Sequence, residues 1–214
     1  MDDPEPGEPL EALTEFVAVM RRLRTECPWK AEQTHRSLQR FLVEETAETL
    51  EAIDGGAASG DWSHLREELG DLLLQVVFHA VIAEQAGEFD LEDVAAGITA
   101  KMVRRNPHVF APAADGSHAD LDPDAVNDLW QQAKAQEKEQ ERGARSAPRD
   151  LPPGLPALLL ADKTLDRRER GGEPIEVDTG SDDVGEQLLA LVARARAQGV
   201  DPEQALRDAV RRRG

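Results

Sequence analysis

Apolar positions along this chain recur every three to four residues over long stretches, and nowhere do they alternate convincingly with period two. Leu13, Phe16, Val17, Met20 and Leu23 fall at helical spacing and predict a helix over 10–24. Glu26-Cys27-Pro28-Trp29 interrupts it, because a proline disfavours helix at the residue before it. Ser37, a good N-cap, opens a second predicted helix that runs to Ile53 and stops at Gly55-Gly56. A third, long and very apolar, spans 63–85 and ends at Gly87. Asp90 caps a fourth, which reaches Arg105 before Pro107, and 111–123 reads as a loop. A fifth helix is predicted over 123–142, and a Pro/Gly-rich linker at 143–157. A short helix over 158–168, a loop at 171–183 and helices over 184–198 and 202–213 complete an all-α chain.

Composition fits that pattern. Aromatic residues make up only 4% and tyrosine is absent, which suits Leu/Val/Ala helices better than a β-sandwich. Residues 1–9, acidic and proline-rich, are expected to be disordered and lack the basic start and apolar middle of a signal peptide. The longest apolar run lies near 72–78, short of the roughly 20 residues needed to span a bilayer. One cysteine, Cys27, allows no internal disulfide, so a reducing cytoplasm is expected. Against 43 Asp+Glu stand 25 Lys+Arg, a net charge of −18 that argues against nucleic acid and anionic membranes as partners.

Most of these carboxylates read as solvated surface; a few do not. On a helical wheel Leu38, Phe41, Leu42, Ala52 and Ile53 define the apolar face of the second helix. Glu45 falls at the centre of that face, Glu48 on its edge, and Glu44 and Glu51 point further round. In the third helix a single polar strip, Glu68, Asp71, Gln75 and His79, runs through an apolar surround. A carboxylate at the centre of a core face is costly unless neutralised, paired or bound to a metal. The third helix offers no Lys or Arg after Arg66. Two i,i+3 acidic pairs on adjacent helices, Glu45/Glu48 and Glu68/Asp71, converge on one site whose oxygen-only ligands suit Mg²⁺, with Mn²⁺ as substitute.

Glu44-Glu45-Thr46-Ala47-Glu48, followed after nineteen residues by Glu68-Leu69-Gly70-Asp71, resembles the Glu-Glu-x-x-Glu … Glu-x-x-Asp signature of the all-α NTP pyrophosphatases. Segments 23–35, 67–79 and 101–110 are similar to the MazG members of that superfamily, and the resemblance covers about 10–140. It implies a bundle completed by dimerisation and Mg²⁺-dependent hydrolysis of ribo- or deoxynucleoside triphosphates to monophosphate and pyrophosphate, a house-cleaning activity on the nucleotide pool. By position it implies Glu45, Glu48, Glu68 and Asp71 as metal ligands. Glu44 is either a ligand to a second ion or a base that orients the attacking water.

An acidic site needs cations elsewhere to attract a triphosphate. Lys101 and Arg105 share one face at the end of the fourth helix, and their charge either complements that helix terminus or meets phosphate. The resemblance implies the second role, and places Trp130 and Lys134 at the nucleotide, with Trp130 stacking on base or ribose or serving as packing. Trp29 and His35 are weaker candidates, and His79 reads as a hydrogen-bonded core group. The sequence departs from the MazG pattern at Lys30, where Asp is usual, and at Asn106, where His is usual. Residues 183–192 line up with 68–77, so 158–214 reads as a shortened second copy; it has no Glu-Glu-x-x-Glu helix and its acids, Asp183 and Glu186, are swapped in order. Two alternatives remain: a carboxylate-bridged di-iron or di-manganese bundle, which lacks its Glu-x-x-His pairs here, and a non-catalytic nucleotide- or partner-binding helical module derived from MazG.

Overall fold

The computed structural model describes residues 11–110, 122–142 and 151–213. The N-terminal stretch expected to be disordered, most of the expected 111–123 loop and the first part of the expected linker lie outside the described residues. Those described contain helices and no strand, in keeping with the all-α expectation. In chain order the helices are α1 (Glu11–Glu26), α2 (Pro28–Glu32), α3 (Gln39–Ser59), α4 (Ser63–Ala86), α5 (Leu91–Arg105), α6 (Pro107–Phe110), α7 (Pro123–Arg142), α8 (Ala157–Arg170), α9 (Val184–Ala197) and α10 (Pro202–Arg211). The chain divides into two compact units, Met1–Gln136 and Glu137–Gly214.

In the first unit α3 and α4 form a helical hairpin, α1 packs on α4, and α2 folds back on α1. The core gathers Val17 and Met20 of α1, Leu38 ahead of α3, and Val77, Phe78 and Val81 of α4. Arg24 ties α2 into place: Nη1 donates to the carbonyls of Lys30, Ala31 (3.0 Å) and Gln33 (3.1 Å), while Nε and Nη2 reach Gln85 Oε1 on α4. Gly87 closes α4 in the left-handed region (φ 73), where glycine carries no Cβ penalty. Asp90 and Asp93 open α5 as a reciprocal capping box, each carboxylate accepting from the other's backbone N–H at 3.0 and 3.1 Å.

The expected elements need adjustment, first at the start of α3, where Leu38 and not Ser37 is the N-cap and no side chain caps the helix. α3 runs through Gly55-Gly56 and ends at Gly60 (φ 78). Gly56 is buried under Trp62, whose ring would stand 2.4 Å from an added Cβ, so this glycine permits close packing rather than a stop. The inward face of α3 is Leu38, Thr49, Ala52 and Gly56; Leu42 and Ile53, expected inside, are 39% and 41% exposed. The short helices α2 and α6 were not expected, since four or five residues are too few to display a helical period. By length and mean hydropathy (1.3 over its best window) α4 could cross a membrane, but its buried stripe packs against α1, α3 and α5 as a core helix.

In the second unit α8, α9 and α10 pack on one another, with Leu165 and Val192 buried. Arg196 of α9 binds three carboxylates of α8: Asp162 at 3.4 Å, Asp166 at 2.8 Å and Glu169 at 3.0 Å. Asp183 caps α9, accepting from Glu186 N at 3.0 Å.

Candidate metal centre

The hairpin places Glu45 and Glu48 of α3 opposite Glu68 of α4, each offering an oxygen within 4.8 Å of the others. Helical spacing explains why: Glu45 lies one turn before the buried Thr49, and Glu68 lies seven residues before the buried Gln75 on the inward strip of α4. Glu68 is 7% exposed and its Oε2 is buried with no hydrogen-bond partner, an arrangement that is costly for a carboxylate left alone. Asp71 stands outside the triad of oxygens, half-buried and close enough to act on Glu45 by charge. Burial first, then the charges of Asp71 and Glu48, hold the Glu45 carboxyl above its usual pKa of 4.5.

No Lys or Arg forms an ion pair with Glu45, Glu48, Glu68 or Asp71 among the described residues. Their neighbours on α4 carry nitrogen: Gln75 Nε2 donates to Glu45 Oε1 at 3.5 Å, and His64 Nε2 lies 2.9 Å from Glu68 Oε1. Three converging carboxylates, one with an idle buried oxygen, fit a hard divalent cation. Glu44, by contrast, is exposed and meets Arg40 Nη2 at 3.4 Å, outside the triad.

The nucleotide-facing candidates form a second cluster of the same unit. Trp130 of α7 meets two cations, the Arg105 guanidinium 5.0 Å and the Lys134 ammonium 5.1 Å from its ring centre. Lys101, half-buried, sits one helical turn before Arg105 on α5. Of the two departures, Lys30 places its ammonium 5.3 Å from the rings of both Trp29 and Phe78. Asn106 caps α5 and donates its amide to Met102 O at 2.7 Å. Trp29 packs edge-on against Phe41 at 6.0 Å. Cys27 is half-buried and free.

Two contacts go beyond the sequence reading, although His79 is the hydrogen-bonded group expected. His64 stands one turn before Glu68, and that i,i+4 spacing is the signal that could have found it. His35 and His79, forty-four residues apart, meet Nδ1 to Nδ1 at 2.8 Å with ring planes 6° apart. Their ring centres are 5.1 Å apart, which equals the nitrogen separation plus the two ring radii, so the rings lie edge to edge in one plane and share one proton along that line.

Fold and site together define an all-helical protein carrying an acidic cluster suited to a divalent cation. Residues 33–110 match the MazG nucleotide pyrophosphohydrolase domain. The chain is 35% identical to the nucleoside triphosphate pyrophosphohydrolase/pyrophosphatase MazG of Thermotoga maritima, over 92% of this chain and 81% of that one. It is 43% identical to the nucleoside triphosphate pyrophosphohydrolase of Mycolicibacterium smegmatis, over 97% of this chain and 58% of the relative's length. A solved MazG-related protein from Thermotoga maritima aligns at 25% identity with a TM-score of 0.46, over 59% of this chain and 99% of that one. The chain belongs to the MazG family.

Proposed function

We propose that this chain hydrolyses nucleoside triphosphates to the monophosphate and pyrophosphate with Mg²⁺, clearing unwanted members of the cytoplasmic nucleotide pool. The observation that carries the reading is the convergence of Glu45, Glu48 and Glu68, the last of which has a buried oxygen with no hydrogen-bond partner. Two relatives named for this activity, aligned over more than nine-tenths of the chain, support it. Glu45, Glu48, Glu68 and Asp71 hold the cation, which when bound offsets phosphate charge and makes water more acidic. Glu44 stands at the outer edge of the acidic helix face, where releasing Arg40 frees it to orient water.

Lys101 and Arg105 take the outer phosphates and stabilise the charge that builds on the departing pyrophosphate. Trp130, with Lys134 on its ring, receives the base or ribose. The catalytic part is residues 10–142. Residues 158–214 are a catalytically silent second copy: Asp183 is committed to capping α9 and Arg196 is saturated by acids, leaving no carboxylate triad among the described residues there. The working form is a homodimer.

The test is a panel of ribo-, deoxy- and modified triphosphates incubated with Mg²⁺, with pyrophosphate and monophosphate quantified. Glu68→Gln and Asp71→Asn are each expected to lower turnover by at least about 100-fold while leaving the fold intact by circular dichroism. Absence of pyrophosphate across the panel overturns the activity, and full turnover in both variants overturns the site.

A further inference from the structure

Glu68 is held from one side only. His64 lies one turn earlier, at the second residue of α4, and its Nε2 is 2.9 Å from Glu68 Oε1. The other oxygen, Oε2, is buried and idle, on a side chain that is 9% exposed. Resting on the reading of this centre as a divalent-cation site, we propose that His64 is a positioning residue: its imidazole, with Nε2 2.9 Å from Oε1, holds the Glu68 carboxylate so that Oε2 is presented to the cation.

The chemistry of the donor supports this role. An arginine or lysine at the same place would fix the carboxylate but also neutralise the charge that draws the ion, and would compete with it. A neutral imidazole at that distance restrains the carboxylate while leaving its charge in place. His64 is 56% exposed and adds little to the core. Gln75 supplies a neutral donor to Glu45 from three turns further along α4. A carboxylate already held in one rotamer has less freedom to lose when an ion arrives, which is why partners of metal ligands commonly change affinity about 10–100-fold.

Metal affinity, rather than activity, tests the idea. Mn²⁺ is titrated into the metal-free full chain at about pH 8, where imidazole is neutral, and the free ion is read by electron paramagnetic resonance for the native protein, H64Q, H64A and E68Q. H64A is expected to weaken Mn²⁺ binding about 10-fold. H64Q, whose amide nitrogen reaches roughly where Nε2 stands, is expected to keep most of the native affinity. The metal-free melting temperature is expected to hold in H64A, because alanine is the best helix former. Native affinity in H64A, or equal losses in H64A and H64Q, overturns the positioning role while leaving the metal centre standing. A native protein that binds no Mn²⁺, or binds it no better than E68Q, removes the metal centre and the role of His64 with it.

Discussion

Glu45 shows how a single residue can work against the fold that carries it. Its carboxyl is held above the usual 4.5 by burial, then by Asp71 and Glu48, so the native state favours the protonated form. A group with a raised native pKa contributes stability that is complete below its unfolded value and lost as pH rises through the native one. At neutral pH, without a cation, ionised Glu45 therefore destabilises the protein. Glu45→Gln is expected to raise the melting temperature of the metal-free protein at neutral pH, to abolish the further rise that Mg²⁺ gives the native chain, and to remove activity; calorimetry with and without Mg²⁺ checks all three. A lower metal-free melting temperature in the variant would contradict the electrostatic account. His79 has the opposite sign. Burial first, then His35, lowers its pKa below 6.5, so the unfolded chain binds the proton more readily. The stability it permits is complete above about 6.5 and lost as pH falls through that value toward the native one, and a second proton on the pair breaks the shared Nδ1 seam. Melting between about pH 7.5 and 5.5 is expected to fall more steeply in the native protein than in His79→Gln. Glu45 and Glu68 were legible in the sequence because helical spacing alone puts them among apolar residues. His64 went unread although it stands at i,i+4 to Glu68, and the histidine seam depends on two chain segments meeting.

At the scale of elements, the α3–α4 hairpin shows what periodicity reads well and what it misses. α4 and α5 begin and end where the sequence marks them, at Gly87 and at the Asp90 capping box, because a cap is a local hydrogen-bonding event. Gly55-Gly56 misled because two glycines look like a stop when their neighbours in space are unknown. The partner of Gly56 is Trp62, across the bend into α4, while Gly55 has nothing within 4 Å of an added Cβ. The two positions should therefore respond in opposite directions. Gly55→Ala is expected to stabilise by about 0.5–1 kcal/mol, the gain of alanine over glycine inside a helix. Gly56→Ala drives a methyl into the Trp62 ring and is expected to cost about 1–3 kcal/mol. Urea unfolding of both variants measures the difference, and equal effects would mean that α3 and α4 are less closely packed here than Trp62 indicates. Leu42 and Ile53 were misassigned for a related reason: a helical wheel counts every apolar side chain as core, although some lie on exposed surfaces of the fold.

Such surfaces are prominent in the first unit. Leu69, Leu73 and Val76 make one stripe on α4, 51%, 40% and 44% exposed, and Val94, Ile98 and Met102 make another on α5, at 38%, 48% and 38%. Apolar faces of this kind on regular helices mark protein contacts, and burying the exposed remainder of each such side chain is worth about 0.6–1.5 kcal/mol. A second copy of this chain is the occupant we propose, which accords with the bundle completed by dimerisation that the sequence resemblance implies. Charge opposes it, since each copy carries −18, and that opposition gives the prediction its sign. Apolar contact is little affected by moderate salt, whereas repulsion between exposed charges is screened within about 10 Å at 0.1 M. The dimer should therefore tighten as salt rises, the reverse of an association held by ion pairs. Light scattering on a dilution series is expected to give twice the chain mass, with dissociation shifting to lower protein concentration between low and moderate salt. Leu73→Asp and Ile98→Asp should each favour the monomer, because a carboxylate buried in an apolar interface between two acidic chains has no cation to meet. A native protein that stays monomeric at high concentration and moderate salt would leave these stripes without the partner we assign them, and dissociation by salt would place the contact on charged surfaces instead.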